Sequence, residues 1–121
     1  MSDPRPASDI RGYHAHIYYR NPAEKAEAAV LRSQLEQRFD VTMGRWRDTP
    51  VGPHPLPMYQ VAFAVDQFAA FVPWLMLNRR DLTILVHPET GQDVPDHGIH
   101  PIWMGEVLAL DLAFLAQFDH A

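Results

Sequence analysis

The residues with the clearest chemical potential are two histidines that lie two positions apart in the segment YHAHIYY, residues 13–19. Aromatic and β-branched residues dominate this segment, which is typical of a β-strand. Because side chains alternate along a strand, His14, His16 and Tyr18 share one face. Imidazole is the commonest protein ligand for borderline divalent metals, and two on one face can reach a single ion. The spacing therefore predicts either a metal site or a pair of ordinary surface histidines.

Two further histidines lie where a stiff loop or a strand would present them. His54 stands between two prolines, which restrict its backbone and lower the entropy that it loses on binding. His87 ends residues 82–87, whose alternating pattern predicts a strand, and Glu89 is the carboxylate nearest to that strand end. The chain has no cysteine, so a metal would be held by His, Asp or Glu side chains.

The elements that must position these residues follow the order strand, helix, strand, strand, helix, strand. The predicted strands cover residues 13–19, 41–47, 58–65 and 82–87. The predicted helices cover residues 22–39 and the segment from the expected cap Asp66 to Asn78. This order favours an α+β fold, a ferredoxin-like βαββαβ sandwich with a four-stranded antiparallel sheet, helices on one face and a C-terminal extension. Residues 1–11 are predicted to be a loose tail, and residues 12–121 a single domain.

Strand parity in this fold brings three histidines to the sheet face that the helices leave open. If alternate residues of the first strand face the helices, His14 and His16 face away from them, and so does His87. The fourth strand would run antiparallel beside the first, which brings these three together. His54 must reach them from its loop, or from a second subunit. A loop as long as residues 88–101 in so small a domain indicates a function such as covering a site.

Other side chains can bind a substrate or move a proton. Aromatic rings can receive a planar molecule, an arginine can bind a carboxylate, and a histidine changes its charge near neutral pH. The candidates for substrate binding are Tyr18, Arg45, Gln60 and Trp103. The candidates for catalytic proton transfer are His14 and His100. For each of these residues the alternative is an ordinary role in the core or on the surface.

The composition argues against several classes of partner. The formal net charge is −5, with 15 acidic against 10 basic residues, which argues against binding to nucleic acid or to an anionic membrane. The apolar runs are shorter than a membrane span, and the N-terminal residues lack the pattern of a signal peptide. These features favour a cytoplasmic protein. An uncovered apolar sheet face would favour a homodimer.

Four separated motifs run in order through the chain. They are YHAHIYY at residues 13–19, GPHPLPMYQ at 52–60, LVHPETG at 85–91, and Asp96-His97 through Trp103-Met104-Gly105. Together they resemble the DOPA 4,5-dioxygenase family of small aromatic ring-opening proteins. The resemblance implies a ferredoxin-like fold and extradiol cleavage of a catechol such as DOPA by O2. It also implies a divalent metal, with Fe(II) as the first choice and zinc or another divalent ion as the alternative. Carried over by motif, His16, His54 and His87 become the metal ligands, with His14 as the alternate.

Two hypotheses of other classes stand beside the enzyme. One is a metal-free or zinc-bound module that binds a small aromatic molecule or a protein across the open sheet face. The other is a structural dimer in which the open faces of two subunits bury each other, with the histidines at the seam. A cavity beside the histidines would favour a binding or catalytic function over the structural dimer.

Overall fold

The computed structural model describes residues 3–119 and contains an antiparallel sheet of five strands. In chain order the elements are β1 (Gly12–Tyr18), α1 (Pro22–Arg38), β2 (Thr42–Met43), β3 (Met58–Phe63), α2 (Phe68–Asn78), β4 (Ile84–Glu89), α3 (Asp93–Gly98), β5 (Ile102–Met104) and α4 (Leu112–Ala116). Short 3-10 helices precede β1 and α2 at Ala7–Asp9 and Val65–Gln67. The strand order across the sheet is β2-β3-β1-β4-β5. No helix within residues 3–119 combines the length and the apolar character that crossing a membrane requires.

The predicted α+β class is confirmed, and the predicted number of strands is corrected from four to five. Residues Ile102–Met104 pair antiparallel with β4, with Trp103 opposite Leu85. Their aromatic and β-branched side chains suit a strand, but three residues are too few for an alternation that the sequence alone can show. β4 lies antiparallel beside β1 as predicted, and His87 is directly opposite His14.

The two long helices begin and end for different reasons. Asn21 caps α1 by accepting a hydrogen bond from the backbone N–H of Glu24 at 2.9 Å, and Pro22 occupies the first helical position. The predicted cap of α2 at Asp66 is wrong, because Asp66 lies within a 3-10 turn and makes no side-chain cap bond. α2 also contains Pro73, so part of its stability comes from the packing of its apolar side chains.

One face of the sheet packs on α1 and α2 to form the main core. The buried side chains of this core are drawn from both layers and include Ala15, Ile17, Val61, Ile84 and Val86 of the sheet with Leu31, Leu35, Phe71 and Leu75 of the helices. The Tyr59 hydroxyl donates a hydrogen bond to the Ala28 carbonyl at 2.8 Å, which ties β3 to α1. The predicted strand parity is therefore confirmed, and the histidines of β1 and β4 face away from the helices.

The opposite face is only half open, contrary to the prediction that it is uncovered. A second buried cluster forms there from Tyr18, Met58 and Leu85, with Leu56, Trp103, Leu108 and Leu110 packed against it. α3 occupies the middle of the segment that was predicted to be a long loop. The chain itself therefore covers part of this face, which weakens the argument for a homodimer from an uncovered apolar face; the homodimer stays a prediction.

β2 is much shorter than the predicted strand at residues 41–47. Met43 lies opposite Val61, and the next bridge joins Arg47 to Met58. Four steps along one chain thus match three along the other, so the segment between these pairs holds one extra residue, as in a β-bulge. Arg45 lies inside this bulge, where regular pairing does not dictate its environment.

Gly105 ends β5 in a backbone conformation that favours glycine. Its φ is 83°, and a Cβ added there would lie 3.1 Å from the Thr83 Oγ1. Gly105→Ala is expected to lower the free energy of unfolding by about 1–3 kcal/mol, because backbone strain and crowding act together. Urea denaturation measures the change. Gly12→Ala is the matched control, since its Cβ would lie 3.5 Å from the Phe63 carbonyl oxygen; equal losses for both variants would contradict the explanation.

Candidate metal centre

Five histidines from four segments converge on the half-open face of the sheet. β1 contributes His14 and His16, the loop before β3 contributes His54, β4 contributes His87, and α3 contributes His97. Two groups of three have ring nitrogens that all lie within 4.8 Å of one another, namely His14–His16–His87 and His16–His54–His97. His16 belongs to both groups, so it is the centre of the cluster.

Within the cluster, His16 and His87 make a short contact between ring nitrogens. Their Nε2 atoms lie 3.1 Å apart, and both side chains are buried. Two neutral imidazoles at this distance can be bridged by one proton or by one cation. Nitrogens that bind one ion at about 2.0–2.1 Å lie roughly 3 Å from each other, so the observed separation fits a shared divalent metal.

In two of the histidines, a contact with a backbone carbonyl group shows that Nδ1 carries a proton. The Nδ1 of His87 lies 3.0 Å from the carbonyl oxygen of Pro88, and the Nδ1 of His97 lies 2.8 Å from that of Asp93. A carbonyl oxygen only accepts hydrogen bonds, so each Nδ1 carries a proton, and in the neutral form of each ring the lone pair is on Nε2. Metal-binding histidines usually have such a second partner, which orients the ring.

His54 is held in place by two contacts with other parts of the chain. Its Nδ1 lies 2.7 Å from the Tyr18 hydroxyl, and the backbone N–H of Asp111 donates to the Pro53 carbonyl at 2.9 Å. The His54 ring centroid lies 4.2 Å from that of His16 as a result. The sequence left open whether the loop of His54 reaches the other histidines within one subunit. In the structure this loop folds back onto the sheet of its own subunit.

The helix that carries His97 is held by two carboxylates. The buried Asp96 accepts hydrogen bonds from the backbone N–H of Thr90 at 2.8 Å and from its Oγ1 at 2.6 Å. The carboxylate of Asp119 accepts hydrogen bonds from the first two backbone N–H groups of α3, at 2.7 and 2.8 Å. These contacts fix α3 over the sheet, and His97 with it.

Burial favours the neutral form of three imidazoles in the cluster, those of His16, His54 and His87. Desolvation, together with repulsion from neighbouring imidazoles, holds the pKa of His16 well below its usual value. For the same reasons the pKa of His54 falls to about 4 and that of His87 to about 3. Neutral imidazole is the form that binds metal. Burial, together with the negative charges of Asp96 and Asp93, raises the pKa of Glu89 to about 7.

The Nδ1 of His87 lies 3.5 Å from the Oε1 of Glu89, and His14 approaches this carboxylate more closely. The Nδ1 of His14 lies 3.0 Å from the Oε1 of Glu89, and both side chains are partly exposed. Burial is the main cause that lowers the pKa of His14, followed by repulsion from His97. A carboxylate behind a histidine sets the orientation of the ring and increases its basicity. His14 is therefore fit for either metal binding or proton transfer.

An open cavity of about 210 Å³ adjoins His16 and His54. The rest of its lining consists of Gly44, Arg45, Arg47, Val51, Gly52, Met58 and Gln60. Two predicted substrate-binding residues, Arg45 and Gln60, thus lie at this cavity. The other two do not, since Tyr18 and Trp103 stack on each other, with ring centroids 6.2 Å apart, beneath the C-terminal segment.

The predicted ligands do not form one group in the structure. His16 and His54 share a group with His97, whereas His16 and His87 share a group with His14. Sequence reasoning missed His97, although its signal was present in the Asp96-His97 motif. His100 is exposed and lines a different cavity with Tyr13 and Phe68, so its catalytic role stays a prediction.

Acid is expected to destabilise the metal-free protein. The folded-state pKa values of His54 and His87, about 4 and about 3, lie below their ordinary value of 6.5. Stability is therefore fully present above pH 6.5 and is lost as the pH falls through this window, by up to about 1.4 kcal/mol per pH unit for each histidine. Glu89 has the opposite effect on stability, because its folded-state pKa of about 7 lies above its ordinary value of 4.5. Its protonation favours the folded state as the pH falls through this range. Two histidines against one carboxylate leave a net loss in acid.

Urea denaturation of chelator-treated protein at pH 7.5, 6.0 and 5.0 measures this loss. His54→Gln should make the pH profile shallower, and Glu89→Gln should make it steeper, because each variant removes one titrating group. A wild-type protein that is equally stable at all three pH values would show that the buried imidazoles do not resist protonation.

Comparison with known proteins gives a consistent picture. The profile described as the Dopa 4,5-dioxygenase family matches residues 13–114. The chain is 38% identical over 122 residues to an uncharacterized 21.2 kDa protein of Botryotinia fuckeliana, covering 91% of this chain and 67% of that protein. It is 38% identical over 116 residues to a DOPA 4,5-dioxygenase of Amanita muscaria, covering 89% of this chain and 51% of that protein. The chain thus spans only about half of the Amanita protein.

A solved structure also resembles this chain along almost its entire length. It is the crystal structure of a proposed dioxygenase from Nostoc punctiforme, which is 52% identical and superimposes with a TM-score of 0.92. The match covers 94% of this chain and 98% of the other. The fold described above is therefore similar to an experimentally determined one.

Proposed function

The chain belongs to the Dopa 4,5-dioxygenase family, and from that membership we propose that it is a metal-dependent dioxygenase that opens the ring of a catechol beside its two hydroxyl groups. The observation that carries the proposal is the convergence of neutral imidazoles beside an open cavity. In the proposed reaction one carbon–carbon bond of the ring breaks, and both atoms of O2 enter the product. The catechol supplies the electrons, so no further reductant is needed.

In the proposed site, His16, His54 and His97 hold a divalent metal. This group is favoured over His14–His16–His87 because His16 and His54 line the cavity that a substrate can enter. All-nitrogen donor sets suit iron and zinc, and Fe(II) is the proposed ion because the reaction is a redox reaction. When bound, Fe(II) supplies the electronic coupling that allows O2 to react with a catechol.

The residues around the cavity have separable tasks in this proposal. Val51 and Met58 provide apolar contacts for the aromatic ring, and the Gln60 amide can hydrogen-bond a hydroxyl group. His14 lines a different cavity of this sheet face; with Glu89 at 3.0 Å from its Nδ1, it is the residue that we propose takes a phenolic proton. The C-terminal segment excludes water from the Tyr18 side of the cluster.

Two finer proposals accompany the function. The first four strands and the two long helices form a ferredoxin-like unit, a proposal supported by the strand order β2-β3-β1-β4. The second is the alternative function of a zinc-bound module that binds small aromatic molecules without converting them, since three imidazoles also suit zinc. Oxygen uptake separates the enzyme from the module.

The test of the function is an oxygen-electrode assay after anaerobic reconstitution with Fe(II). We expect uptake of one O2 per catechol and a yellow ring-opened product, whereas metal-free and zinc-loaded protein should consume no O2. Elemental analysis must show about one iron per chain. Iron-loaded protein that consumes no O2 across a panel of catechols would refute the proposal, and binding of catechols by zinc-loaded protein would then favour the module.

A further inference from the structure

Two arginines at the cavity have no anionic partner. Arg45 and Arg47 both line the cavity beside His16 and His54, and neither side chain forms an ion pair or a hydrogen bond with any residue in the described range 3–119. Other arginines do pair with carboxylates: Arg5, Arg20, Arg32 and Arg80 lie next to Asp9, Glu24, Glu36 and Glu27. In a chain with 15 acidic and 10 basic residues, two guanidinium groups without an acidic partner among residues 3–119 leave an uncompensated positive charge at the cavity.

The remaining lining of the cavity adds no negative charge. Of the nine described residues that line it, two are arginines, two are histidines, and none is acidic. Guanidinium groups bind carboxylates with two parallel hydrogen bonds, which gives both attraction and orientation. An ammonium group in the same cavity would meet like charge without a compensating carboxylate.

The size of the cavity limits the substrate further. About 210 Å³ is below the roughly 300–1,000 Å³ of sites for drug-sized ligands. A single aromatic ring with a short side chain is therefore the appropriate scale. Arg45 lies in the bulge that follows β2, whereas His16 lies on β1, so the ring and the carboxylate of one small molecule would contact different residues.

We infer that the substrate is a catechol that carries a carboxylate on a short side chain and lacks an ammonium group, with Arg45 and Arg47 as the residues that determine this specificity. This inference rests on the proposed function, since it takes the same cavity as the active site. It distinguishes between anionic and zwitterionic catechols, which differ only in the ammonium group.

A rival arrangement exists in the same face of the sheet. A second, more open cavity adjoins His14 and is lined by Arg11, Asp40 and Glu89 among others. A zwitterion that spanned both cavities could place its ammonium group near the carboxylates of Asp40 and Glu89. In that case an amino acid would bind better than the corresponding acid without the amino group, which is the opposite of the inferred preference.

Four catechols form a matched set for the test. They are 3-(3,4-dihydroxyphenyl)propionate, 3,4-dihydroxyphenylalanine, dopamine and 4-ethylcatechol, which carry a carboxylate, both charged groups, an ammonium group and neither group. Calorimetric titration of zinc-loaded protein without oxygen measures binding apart from turnover. We expect the propionate to bind about tenfold more tightly than dopamine and 4-ethylcatechol, which lack a carboxylate for the charge-assisted hydrogen bonds. We expect a similar advantage of about tenfold over the amino acid, because its ammonium group meets the like charge of the arginines.

Variants assign the preference to the arginines. The double variant Arg45→Gln/Arg47→Gln should weaken binding of the propionate about tenfold and leave binding of 4-ethylcatechol unchanged. The backbone pairing of Arg47 with Met58 is retained in this variant, because it involves no side-chain atoms. Arg38→Gln, at the end of α1 in the helix layer, is the control that removes the same charge away from the cavity and should change neither affinity.

The outcomes separate the specificity from the function. Equal or tighter binding of the amino acid, equal binding of 4-ethylcatechol, or no binding of any of the four would overturn the inference. The same holds if the double variant keeps the preference. If the propionate binds as expected but iron-loaded protein consumes no O2 with it or the other three, the charge preference stands and the proposed dioxygenase activity fails.

Discussion

Replacement of His16 by glutamine is expected to abolish both metal binding and oxygen uptake. His16 is the one histidine common to both three-histidine groups, and its Nε2 lies 3.1 Å from that of His87. Whichever group holds the ion, the variant loses a ligand at its centre. We expect the metal content to fall to less than about a tenth of one ion per chain, and oxygen uptake to fall by roughly 10³-fold or more.

Glutamine variants of the other histidines identify the group that binds the ion. Under the proposed assignment, His54→Gln and His97→Gln lose most of the metal, whereas His14→Gln and His87→Gln retain it. Inductively coupled plasma mass spectrometry measures the metal content, and far-UV circular dichroism shows whether each variant is folded. His100→Gln removes an imidazole outside the cluster and should keep the full metal content. Full metal content in His16→Gln would refute the site itself.

Removal of the Asp96 carboxylate is expected to have the largest effect on stability. Asp96 is 0% exposed and accepts two hydrogen bonds from Thr90. Asp96→Ala leaves the partly buried N–H of Thr90 without this acceptor and opens a small void at the buried Asp96 position, so the free energy of unfolding should fall by about 2–4 kcal/mol. The affinity for metal should also fall by roughly 10-fold to 100-fold, because α3 positions His97.

Matched variants separate the contributions to this effect. Thr90→Val removes the Oγ1 contact and keeps the backbone N–H bond, so it should cost about 0.5–1.5 kcal/mol. Asp96→Asn keeps the shape and one acceptor oxygen, and should fall between the other two variants. Urea denaturation gives the free energies, and competition with a chelator gives the metal affinities. An Asp96→Ala protein as stable as the Thr90→Val protein would mean that the buried carboxylate does not hold α3 in place.

The faces of the central strands could be predicted from the sequence because side-chain alternation is a local property of a strand. The pattern of residues 13–19 assigns His14 and His16 to one face without reference to any other part of the chain. The strand order expected for this arrangement also put His87 next to His14, and the structure has these residues directly opposite each other. Three of the five clustered histidines were therefore placed correctly from periodicity and topology.

The missed features depend on contacts between distant segments. Residues 93–98 form a helix of only six residues that contains a proline, and its position depends on Thr90 and Asp119 contacts rather than on its own periodicity. The bulge that follows β2 depends on pairing with β3 and has no clear signal in residues 41–47. The three-residue strand β5 and the C-terminal segment that packs on the second sheet face also depend on contacts with distant residues, so local patterns did not predict them.

By itself, then, the sequence determined that imidazoles from two strands face away from the helices and that no thiolate can serve as a ligand. Only the tertiary structure decided which histidines meet, because His54 and His97 reach His16 through a turn and a short helix that other parts of the chain hold in place. The physical reason is the range of the interactions. Backbone geometry repeats every two residues along a strand, whereas the convergence of separate segments depends on packing and hydrogen bonds that no local pattern encodes.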